Sequence, residues 1–368
     1  MALAFYRKYR PQLISDLLGQ ESTTQIIKNS AIADRIGHAY LFYGPRGTGK
    51  TSTARLIAKL LNCEKRELDK KFHAEGEPCN ECASCKEIES GFSFDIVEID
   101  AASNRGIDEI RNLKDAIRTA PARGRSKVYI IDEVHMLTGF AWNALLKTLE
   151  EPPAHAVFVL ATTEFEKIPP TITSRAQRFV FKKIPKVKIL EKLKTIASAE
   201  NISITDEALE IVAASGDGSF RDAESLLDQL SSSGEKINLE VVENLTGRTG
   251  LKKVNQLAKF IIENKAEEAL THLHKLNDEG INLAQLTKDL IHYFRKILAI
   301  KTNPSLEKFF ENELTREEIE QLKKLASLAN IEKQIQFLKA LITAYTEIRY
   351  SPFPIVPLEI AIIENFSI

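Results

Sequence analysis

The sequence predicts a parallel α/β domain followed by an all-α region. Up to about residue 180, short apolar runs alternate with helical patterns, which is typical of a parallel sheet covered by helices. A glycine-rich loop, 44–51, joins one of these apolar runs to a helical pattern. After Pro185 amphipathic helical spacing dominates, for example at Val187, Leu190 and Leu193, and this spacing favours helices that pack on one another.

The individual elements follow from these patterns. We expect strands at 39–43, 95–99, 128–131, 156–161 and 177–181, and helices at 21–34, 50–62, 107–118 and 139–150. Glu151-Pro152-Pro153 ends the last of these helices, because proline lacks the backbone N–H that a helix needs. A further boundary, between two helical domains, is expected near 247–250.

The composition is that of an ordinary globular protein. A chain of 368 residues is long enough for two or three domains. Its formal net charge is −1, so bulk charge gives no evidence for nucleic-acid binding, and any such site must be local. No apolar run approaches the ~20 residues that cross a bilayer, and the N-terminus lacks the apolar core of a secretory signal. We therefore expect a cytosolic protein that does not contact membranes.

The loop 44–51 matches the complete phosphate-binding pattern G-x-x-x-x-G-K-[ST]. An apolar strand precedes it and a helix follows, which a chance glycine-rich turn would not explain. Its backbone N–H groups and the helix N-terminus favour phosphate oxygens. We expect Lys50 to reach the β- and γ-phosphates of ATP, and Thr51 to hold Mg²⁺. The residues of this loop that we predict to bind the nucleotide are Gly44, Pro45, Arg46, Gly47, Thr48, Gly49, Lys50, Thr51 and Ser52.

Asp132 and Glu133 follow the apolar run 128–131 directly. The carboxyl ends of parallel strands form the edge at which α/β sheets bind ligands. We expect Asp132 to support the Mg²⁺ ion and Glu133 to orient or activate the attacking water. Taken alone, such an acidic pair is more typical of a solvated loop. Together with the phosphate-binding loop, it predicts a hydrolytic carboxylate pair.

The four cysteines are clustered in the sequence, at Cys63, Cys79, Cys82 and Cys85. Disulfides are unlikely in a cytosolic nucleotide-binding chain, whereas four thiolates at this spacing suit tetrahedral Zn²⁺. Four sulfur ligands leave no open position for water, so we expect a structural and not a catalytic zinc. Free thiols or a redox pair remain the alternative. An iron–sulfur site is disfavoured, because the fourth Cys followed by Pro is absent.

Three further residues are candidates for sensing or stabilising the nucleotide. Thr163, just after the strand 156–161, could read the γ-phosphate, although threonine at a strand end is common. Arg175 follows a short helical segment and is a candidate arginine finger, offered to a phosphate across a subunit boundary. Arg221 opens a helix in the second domain and could reach back to the nucleotide. An isolated arginine at either position would be read as a surface residue.

Taken together, these residues resemble the tau/gamma subunits of the bacterial DNA polymerase III clamp loader, a family of AAA+ ATPases. The resemblance is dense from residue 8 to about 230 and thin beyond. The four-cysteine insertion just after the phosphate-binding helix is its most specific feature. The matching phrases include Lys8-Tyr9-Arg10-Pro11, Leu18-Gly19-Gln20, His38-Ala39-Tyr40-Leu41-Phe42, Ile131-Asp132-Glu133-Val134-His135-Met136-Leu137, Leu145-Leu146-Lys147-Thr148-Leu149-Glu150-Glu151-Pro152-Pro153 and Ser219-Phe220-Arg221-Asp222-Ala223.

The resemblance implies three domains. They are a RecA-like AAA+ ATPase domain at 1–181 with a zinc module at about 63–91, a helical lid at 182–245, and a helical collar at 246–368. The collar would join clamp-loader subunits into an open pentameric ring. ATP binding would drive capture of the sliding clamp, and hydrolysis triggered by primer–template DNA would release the clamp onto the duplex. The implied location is the bacterial cytoplasm, in association with the nucleoid.

The resemblance also assigns roles to residues. Arg10, Pro11, Gly19 and Gln20 would border the adenine. Thr163 would be the first sensor and Arg221 the second, and Arg175 would act on the ATP of the neighbouring subunit. The family usually has Ser-Arg-Cys at the finger, and this chain has Ser174-Arg175-Ala176. The arginine is retained, so its expected role is kept. Longer members carry further C-terminal segments that contact helicase and polymerase. We expect a short form or a truncated chain here.

Three questions stay open at the level of sequence. The segment 105–127 carries seven Lys or Arg and three Asp or Glu, and it could face DNA phosphates or form a solvated helix face. A branch-migration or helicase-type motor shares the phosphate-binding loop and the acidic pair, but it has no reason to carry the cysteine module. A ring scaffold that does not hydrolyse ATP is disfavoured, because Lys50, Thr51 and Glu133 are all present.

Overall fold

The computed structural model describes residues 3–103, 117–232, 234, 236–246, 251–310, 314 and 316–367. They form two compact units. The first contains the described residues of Met1–Ile184 together with Gly218–Arg221, and the second those of Pro185–Asp217 and Asp222–Ile368. The predicted helix 107–118 and the boundary near 247–250 lie almost entirely outside the described residues.

The first unit contains a parallel sheet of five strands, which are β1 (Ala39–Tyr43), β2 (Ile96–Asp100), β3 (Lys127–Asp132), β4 (Ala156–Thr162) and β5 (Gln177–Val180). Their order in the sheet is β2-β3-β4-β1-β5. Each predicted strand is confirmed to within one residue at either end. Tyr43, the last residue of β1, pairs with Thr162, the last of β4, so these strands end at the same edge of the sheet.

Helices cover both faces of this sheet, as its apolar strands require. On one face Phe158 of β4 stacks on Tyr129 of β3, with ring centroids 5.3 Å apart, and Trp142 belongs to the same core. On the other face Phe42 packs in a core that includes Ile57. Each large apolar side chain buried in this way contributes about 1.5–3 kcal/mol to folding. The two cores fix the sheet edge that carries the loops after β1, β3 and β4.

The helices of the first unit agree with the prediction where the structure describes them. The predicted helices 50–62 and 139–150 have the predicted bounds, and 21–34 ends two residues early, at Ile32. The α-helices are Phe5–Lys8, Glu21–Ile32, Lys50–Asn62, Glu64–Leu68, Lys70–His73, Ala83–Ser90, Gly139–Glu150 and Pro170–Thr173. Short 3₁₀ helices lie at Ile14–Asp16, Val134–Met136 and Phe165–Lys167.

The second unit is helical, as predicted for the residues after Pro185. A core around Leu290, Phe294 and Phe337 joins its C-terminal helices, and the last two rings meet edge to face with centroids 4.9 Å apart. No helix in the described ranges is both long and apolar enough to cross a membrane. The α-helices after residue 184 are Lys186–Ala199, Asp206–Ser215, Phe220–Ser231, Leu239–Thr246, Leu251–Ile262, Ala266–Asp278, Leu283–Thr302, Glu307–Phe310, Arg316–Leu328, Ile331–Ile348 and Val356–Ser367.

Candidate functional site

The phosphate-binding loop leaves β1 in a conformation that glycine allows. Gly44 has φ +141°, and a Cβ on it would lie 2.0 Å from the carbonyl oxygen of Phe181. Gly49, at φ +103°, caps the helix Lys50–Asn62. The Thr48 hydroxyl donates to the Pro45 carbonyl over 2.8 Å and closes the loop. Pro45 and Arg46 are exposed, whereas Thr48 is buried. The loop therefore presents backbone N–H groups at a helix N-terminus, which is a ready anion site.

Lys50 is buried in the loop, with 6% of its surface exposed. Its ammonium donates to the carbonyl oxygens of Gly44 (2.8 Å) and Pro45 (2.7 Å). Burial lowers the pKa of Lys50, and the nearby carboxylates Asp132 and Glu133 oppose that shift. The side chain thus lies across the loop that is predicted to bind phosphates.

Thr51 and Asp132 are in direct contact. The Thr51 hydroxyl donates to Asp132 Oδ2 over 2.7 Å, and the backbone N–H of Glu133 donates to Asp132 Oδ1 over 2.9 Å. Thr51 lies in the first turn of the helix Lys50–Asn62, beside the half-buried Ser52, while Asp132 ends β3. A hydroxyl and a carboxylate brought together in this way are oxygen ligands of the kind that Mg²⁺ prefers.

Glu133 and Thr163, two residues predicted separately, also meet. Glu133 Oε2 accepts from the Thr163 hydroxyl at 3.0 Å and from its backbone N–H at 3.4 Å. Glu133 has φ +45°, in the left-handed region, where a residue other than glycine costs about 1–3 kcal/mol. The strained backbone directs the carboxylate towards the end of β4. Thr163 therefore contacts the candidate catalytic carboxylate.

His135 joins this pair, and sequence reasoning gave it no role. Its side chain is 6% exposed, and its Nδ1 lies 3.0 Å from Thr162 Oγ1 and 3.5 Å from Glu133 Oε2. Its Nε2 lies 3.0 Å from Glu164 Oε1. A histidine two residues after an acidic pair was the available signal, but its partners Thr162 and Glu164 lie at the end of a different strand. His135 thus links the loop after β3 to the loop after β4.

Arg175 follows the helix Pro170–Thr173 and is paired within its own chain. Its Nη2 lies 2.7 Å from Glu150 Oε1, and its Nη1 donates to the Thr171 carbonyl over 2.8 Å. About a third of the side chain, 36%, is exposed. The guanidinium is therefore held in a defined position and remains accessible from outside.

Residues 218–221 contact the phosphate-binding loop within the first unit. The Phe220 N–H donates to the Gly47 carbonyl over 3.1 Å. Gly47 has φ +69°, and a Cβ on it would lie 1.8 Å from Ser219 Oγ. The guanidinium carbon of Arg221 lies 5.0 Å from the ring centroid of Tyr6. The structure thus places the start of the Arg221 helix beside the loop.

The residues implied to border the adenine lie at two ends of one segment. Burial lowers the pKa of Arg10, and Pro11 is half-buried. Gly19 has φ +79°. The buried Gln20 donates to the Lys182 carbonyl over 2.8 Å and to the Thr48 carbonyl over 3.3 Å. The Gln20 amide therefore braces the phosphate-binding loop.

The four cysteine sulfurs lie within 4.8 Å of one another. Cys63 follows the helix Lys50–Asn62, and Cys82 caps the helix Ala83–Ser90. The N–H groups of Cys82 and Cys85 approach Sγ atoms at 3.3 and 3.5 Å. A tetrahedral zinc with bonds of about 2.3 Å needs sulfurs about 3.8 Å apart, so this donor set fits such an ion.

The pKa values of the Cys63 and Cys85 thiols are shifted in opposite directions. A hydrogen bond from the Cys85 thiol lowers the pKa of Cys63 to about 4. The same hydrogen bond, together with burial, raises the pKa of Cys85.

Three family models match the chain in succession. They are described as DNA polymerase III, delta subunit, over residues 19–185, DNA polymerase III clamp loader subunit, ATPase lid domain, over 188–236, and DNA polymerase III subunits gamma and tau domain III, over 237–367.

Curated relatives agree with these models. DNA polymerase III subunit tau of Bacillus subtilis is 43% identical over 98% of this chain and 62% of its own length. The tau subunit of Escherichia coli is 40% identical over 81% of this chain and 46% of its own length. The chain therefore spans less than two thirds of these relatives. DNA polymerase III subunit gamma of Buchnera aphidicola is 33% identical over 98% of this chain and 96% of its own length.

Solved structures give more distant likenesses. A Bacillus subtilis DNA clamp loader delta protein matches with a TM-score of 0.40 and 16% identity, covering 94% of this chain and 99% of that one. A Thermotoga maritima RuvB Holliday junction branch migration motor matches with a TM-score of 0.46 and 19% identity, covering 69% and 79%. At these scores neither likeness supports an argument. The sequence relatives do: the chain belongs to the family of DNA polymerase III gamma and tau subunits.

Proposed function

We propose that this chain is an ATPase subunit of a replicative clamp loader. ATP binding and hydrolysis would drive the opening of a sliding clamp and its loading onto primed DNA, as part of a DNA polymerase III holoenzyme. The observation that carries the proposal is the convergence of the phosphate-binding loop, the Thr51–Asp132 contact and Glu133 at one edge of the sheet. Membership of the gamma and tau family supports it. No specific observation favours a translocating motor.

The chemistry would be divided among residues of this edge. The loop N–H groups and Lys50 would bind the β- and γ-phosphates, and Thr51 and Asp132 would hold Mg²⁺. When bound, this ion neutralises charge on the phosphate oxygens. Glu133 orients the attacking water and accepts its proton. Glu133 accepts two hydrogen bonds from Thr163 in this structure, and these bonds orient the carboxylate that would face the water.

The remaining proposals concern two arginines, the assembly of subunits, DNA contact and location. Arg175 would stabilise the transition state on a neighbouring subunit, and Arg221 would read the bound nucleotide. Subunits would form a pentameric ring through the collar, 246–368, with the lid at 182–245 and the ATPase domain at 1–181. The segment 105–127, which would contact DNA, lies partly outside the described residues. The bacterial relatives in DNA replication support a cytoplasmic location associated with the nucleoid.

The first experiment is ATP hydrolysis by the purified chain, measured alone and then with the other loader subunits, clamp and primed DNA. A low basal rate that rises steeply only with all components is expected. Lys50→Ala should lose the stimulated rate. Stimulation by DNA alone, without a clamp or a primer end, would replace this proposal with a translocating motor. ATP binding without hydrolysis under any condition would make the chain a scaffold.

The cysteine cluster is proposed to hold one structural zinc. The residues Glu64 to Pro78 between its ligands are rich in charge, so folding of this module gains little from apolar burial. A structural zinc supplies on the order of 10 kcal/mol in such cases.

Elemental analysis of the purified chain should therefore find one zinc per chain. Cys82→Ser should lose most of this zinc and unfold the module at a lower temperature. Ser90→Ala, at the end of the helix Ala83–Ser90, is the matched control and should keep the metal. A fully folded chain without metal, with all four thiols reactive, would contradict the zinc site.

A further inference from the structure

We propose that Glu77 is a positioning residue, which couples the cysteine module to the base end of the nucleotide site. Glu77 precedes Cys79 by two residues. It holds the segment 12–15, which runs between the two pairs of residues implied to border the adenine. This inference rests on the proposed nucleotide binding. It gives the cysteine module a second role, because the module would influence the affinity for ATP without contacting the phosphates.

The Glu77 carboxylate accepts hydrogen bonds from the backbone of this segment. The N–H of Ile14 donates to Glu77 Oε2 over 2.6 Å, and the N–H of Ser15 donates to Oε1 over 3.1 Å. The Glu77 side chain is 11% exposed, and Ile14 is fully buried. Hydrogen bonds to a charged acceptor are roughly twice as strong as neutral ones, so the two bonds fix the segment firmly to the module.

The helix Glu21–Ile32 holds Glu77 in place. Lys28 Nζ lies 3.0 Å from Glu77 Oε1. The preceding residue, Gly76, has φ +68°, and a Cβ on it would lie 2.7 Å from Lys28 Cγ and 3.0 Å from Ile32 Cγ1. The module thus approaches this helix so closely that only glycine fits, and Glu77 has little freedom to move away from the segment.

A second link reaches the other end of the segment. Asn80, between Cys79 and Cys82, donates to the Gln12 carbonyl over 3.0 Å. The Lys59 side chain is 3% exposed. Its ammonium donates to Asn80 Oδ1 over 2.8 Å and to Gln12 Oε1 over 2.6 Å. The segment 12–15 is therefore tied at both ends to Glu77 and Asn80, which lie on either side of the cysteine ligand Cys79.

A shift of this segment would reach the nucleotide site by two routes. It continues directly from Arg10 and Pro11, and it leads through Leu17 to Gly19 and Gln20. Gln20 in turn contacts the Thr48 carbonyl of the phosphate-binding loop. A zinc that holds the module rigid would therefore hold the base end of the site, whereas Lys50 and Thr51 would keep their own contacts.

The test measures the dissociation constant of ATP for the full chain and for Glu77→Gln, each with zinc and after zinc removal. A glutamine offers one oxygen to two N–H donors, so the segment loses one bond. We expect zinc removal to weaken ATP binding by the wild type about tenfold, within the usual range of couplings. With zinc bound, Glu77→Gln should bind ATP about as weakly as the zinc-free wild type. Zinc removal should then weaken ATP binding by this variant only a little further.

Base selectivity separates positioning from general stability. The ratio of GTP to ATP dissociation constants should fall in Glu77→Gln, because the base end of the site is loosened while the phosphate end is not. Glu81→Gln is the matched control. Its side chain lies in the same module, is 80% exposed, and should leave zinc content, affinity and selectivity unchanged.

The inference is overturned if Glu77→Gln retains zinc and wild-type helicity, and also binds ATP with wild-type affinity and selectivity. It is equally overturned if zinc removal weakens ATP binding as much in Glu77→Gln as in the wild type. If Glu77→Gln does not fold, Asn80→Ala breaks the second link and is judged by the same criteria. A wild type that binds no ATP, like Lys50→Ala, would instead refute the proposed function.

Discussion

Replacing Glu133 with Gln is expected to lower the kcat of ATP hydrolysis on the order of 10²–10⁴-fold while leaving ATP binding intact. Glutamine keeps the shape of the side chain and can still accept from Thr163, but it cannot take a proton from water. Thr51 and Asp132, which contact each other over 2.7 Å, keep their places. The loss should therefore fall on the chemical step.

Single-turnover hydrolysis and nucleotide titration together test this expectation in the stimulated assembly. Glu166→Gln is a suitable control, because Glu166 is exposed in the neighbouring 3₁₀ helix Phe165–Lys167 and has no proposed role. A Glu133→Gln chain that hydrolyses ATP at the wild-type rate would show that another group activates the water. If Glu133→Gln instead lost ATP binding, Glu133 would be needed to bind the nucleotide before hydrolysis begins.

Replacing Arg175 with Ala is expected to lower stimulated hydrolysis on the order of 10³–10⁵-fold, and only in the assembled loader. The guanidinium is paired with Glu150 in its own chain and is partly exposed, so it is available to a neighbour. The slow basal rate of the isolated chain should not change. Arg178→Ala, an exposed arginine on β5, is the matched control.

Mixing two defective chains tests whether Arg175 acts in trans. A Lys50→Ala chain has an intact Arg175, and an Arg175→Ala chain has an intact phosphate-binding loop. Assemblies that contain both should recover part of the hydrolysis that neither supports alone. If Arg175→Ala reduces basal hydrolysis to the same extent at a dilution where chains stay apart, Arg175 acts in its own site and the trans role is wrong.

The sequence could predict the sheet and the loops at its edge because their signals are local. A run such as 128–131 identifies a buried strand by composition alone, and the glycines of 44–51 identify a loop that few other residues could form. Once the strands are parallel, their carboxyl ends share an edge. The proximity of Thr51, Asp132 and Glu133 follows from that topology, and the structure agrees with it.

The contacts of Glu77, His135 and Gln20 could not be predicted in this way. Each is a polar side chain whose partners lie in other loops, and such pairs leave no periodicity in the sequence. Charge was equally uninformative: Glu77 lies in a stretch rich in charged residues, and only burial distinguishes it from Glu81. The placement of Gly218–Arg221 with the first unit is likewise a matter of long-range contact.

The close approach of Ser219 to Gly47 bears on how such a chain can change over evolution. Position 47 is one that the phosphate-binding pattern leaves unspecified, yet a Cβ there would overlap Ser219 Oγ on a backbone at φ +69°. Mutational freedom in the loop is thus limited by a residue encoded far downstream. A recombinant gene joining this loop to a homologous segment with a bulkier residue at 219 should yield a poorly expressed protein, so the two stretches should be inherited as a pair.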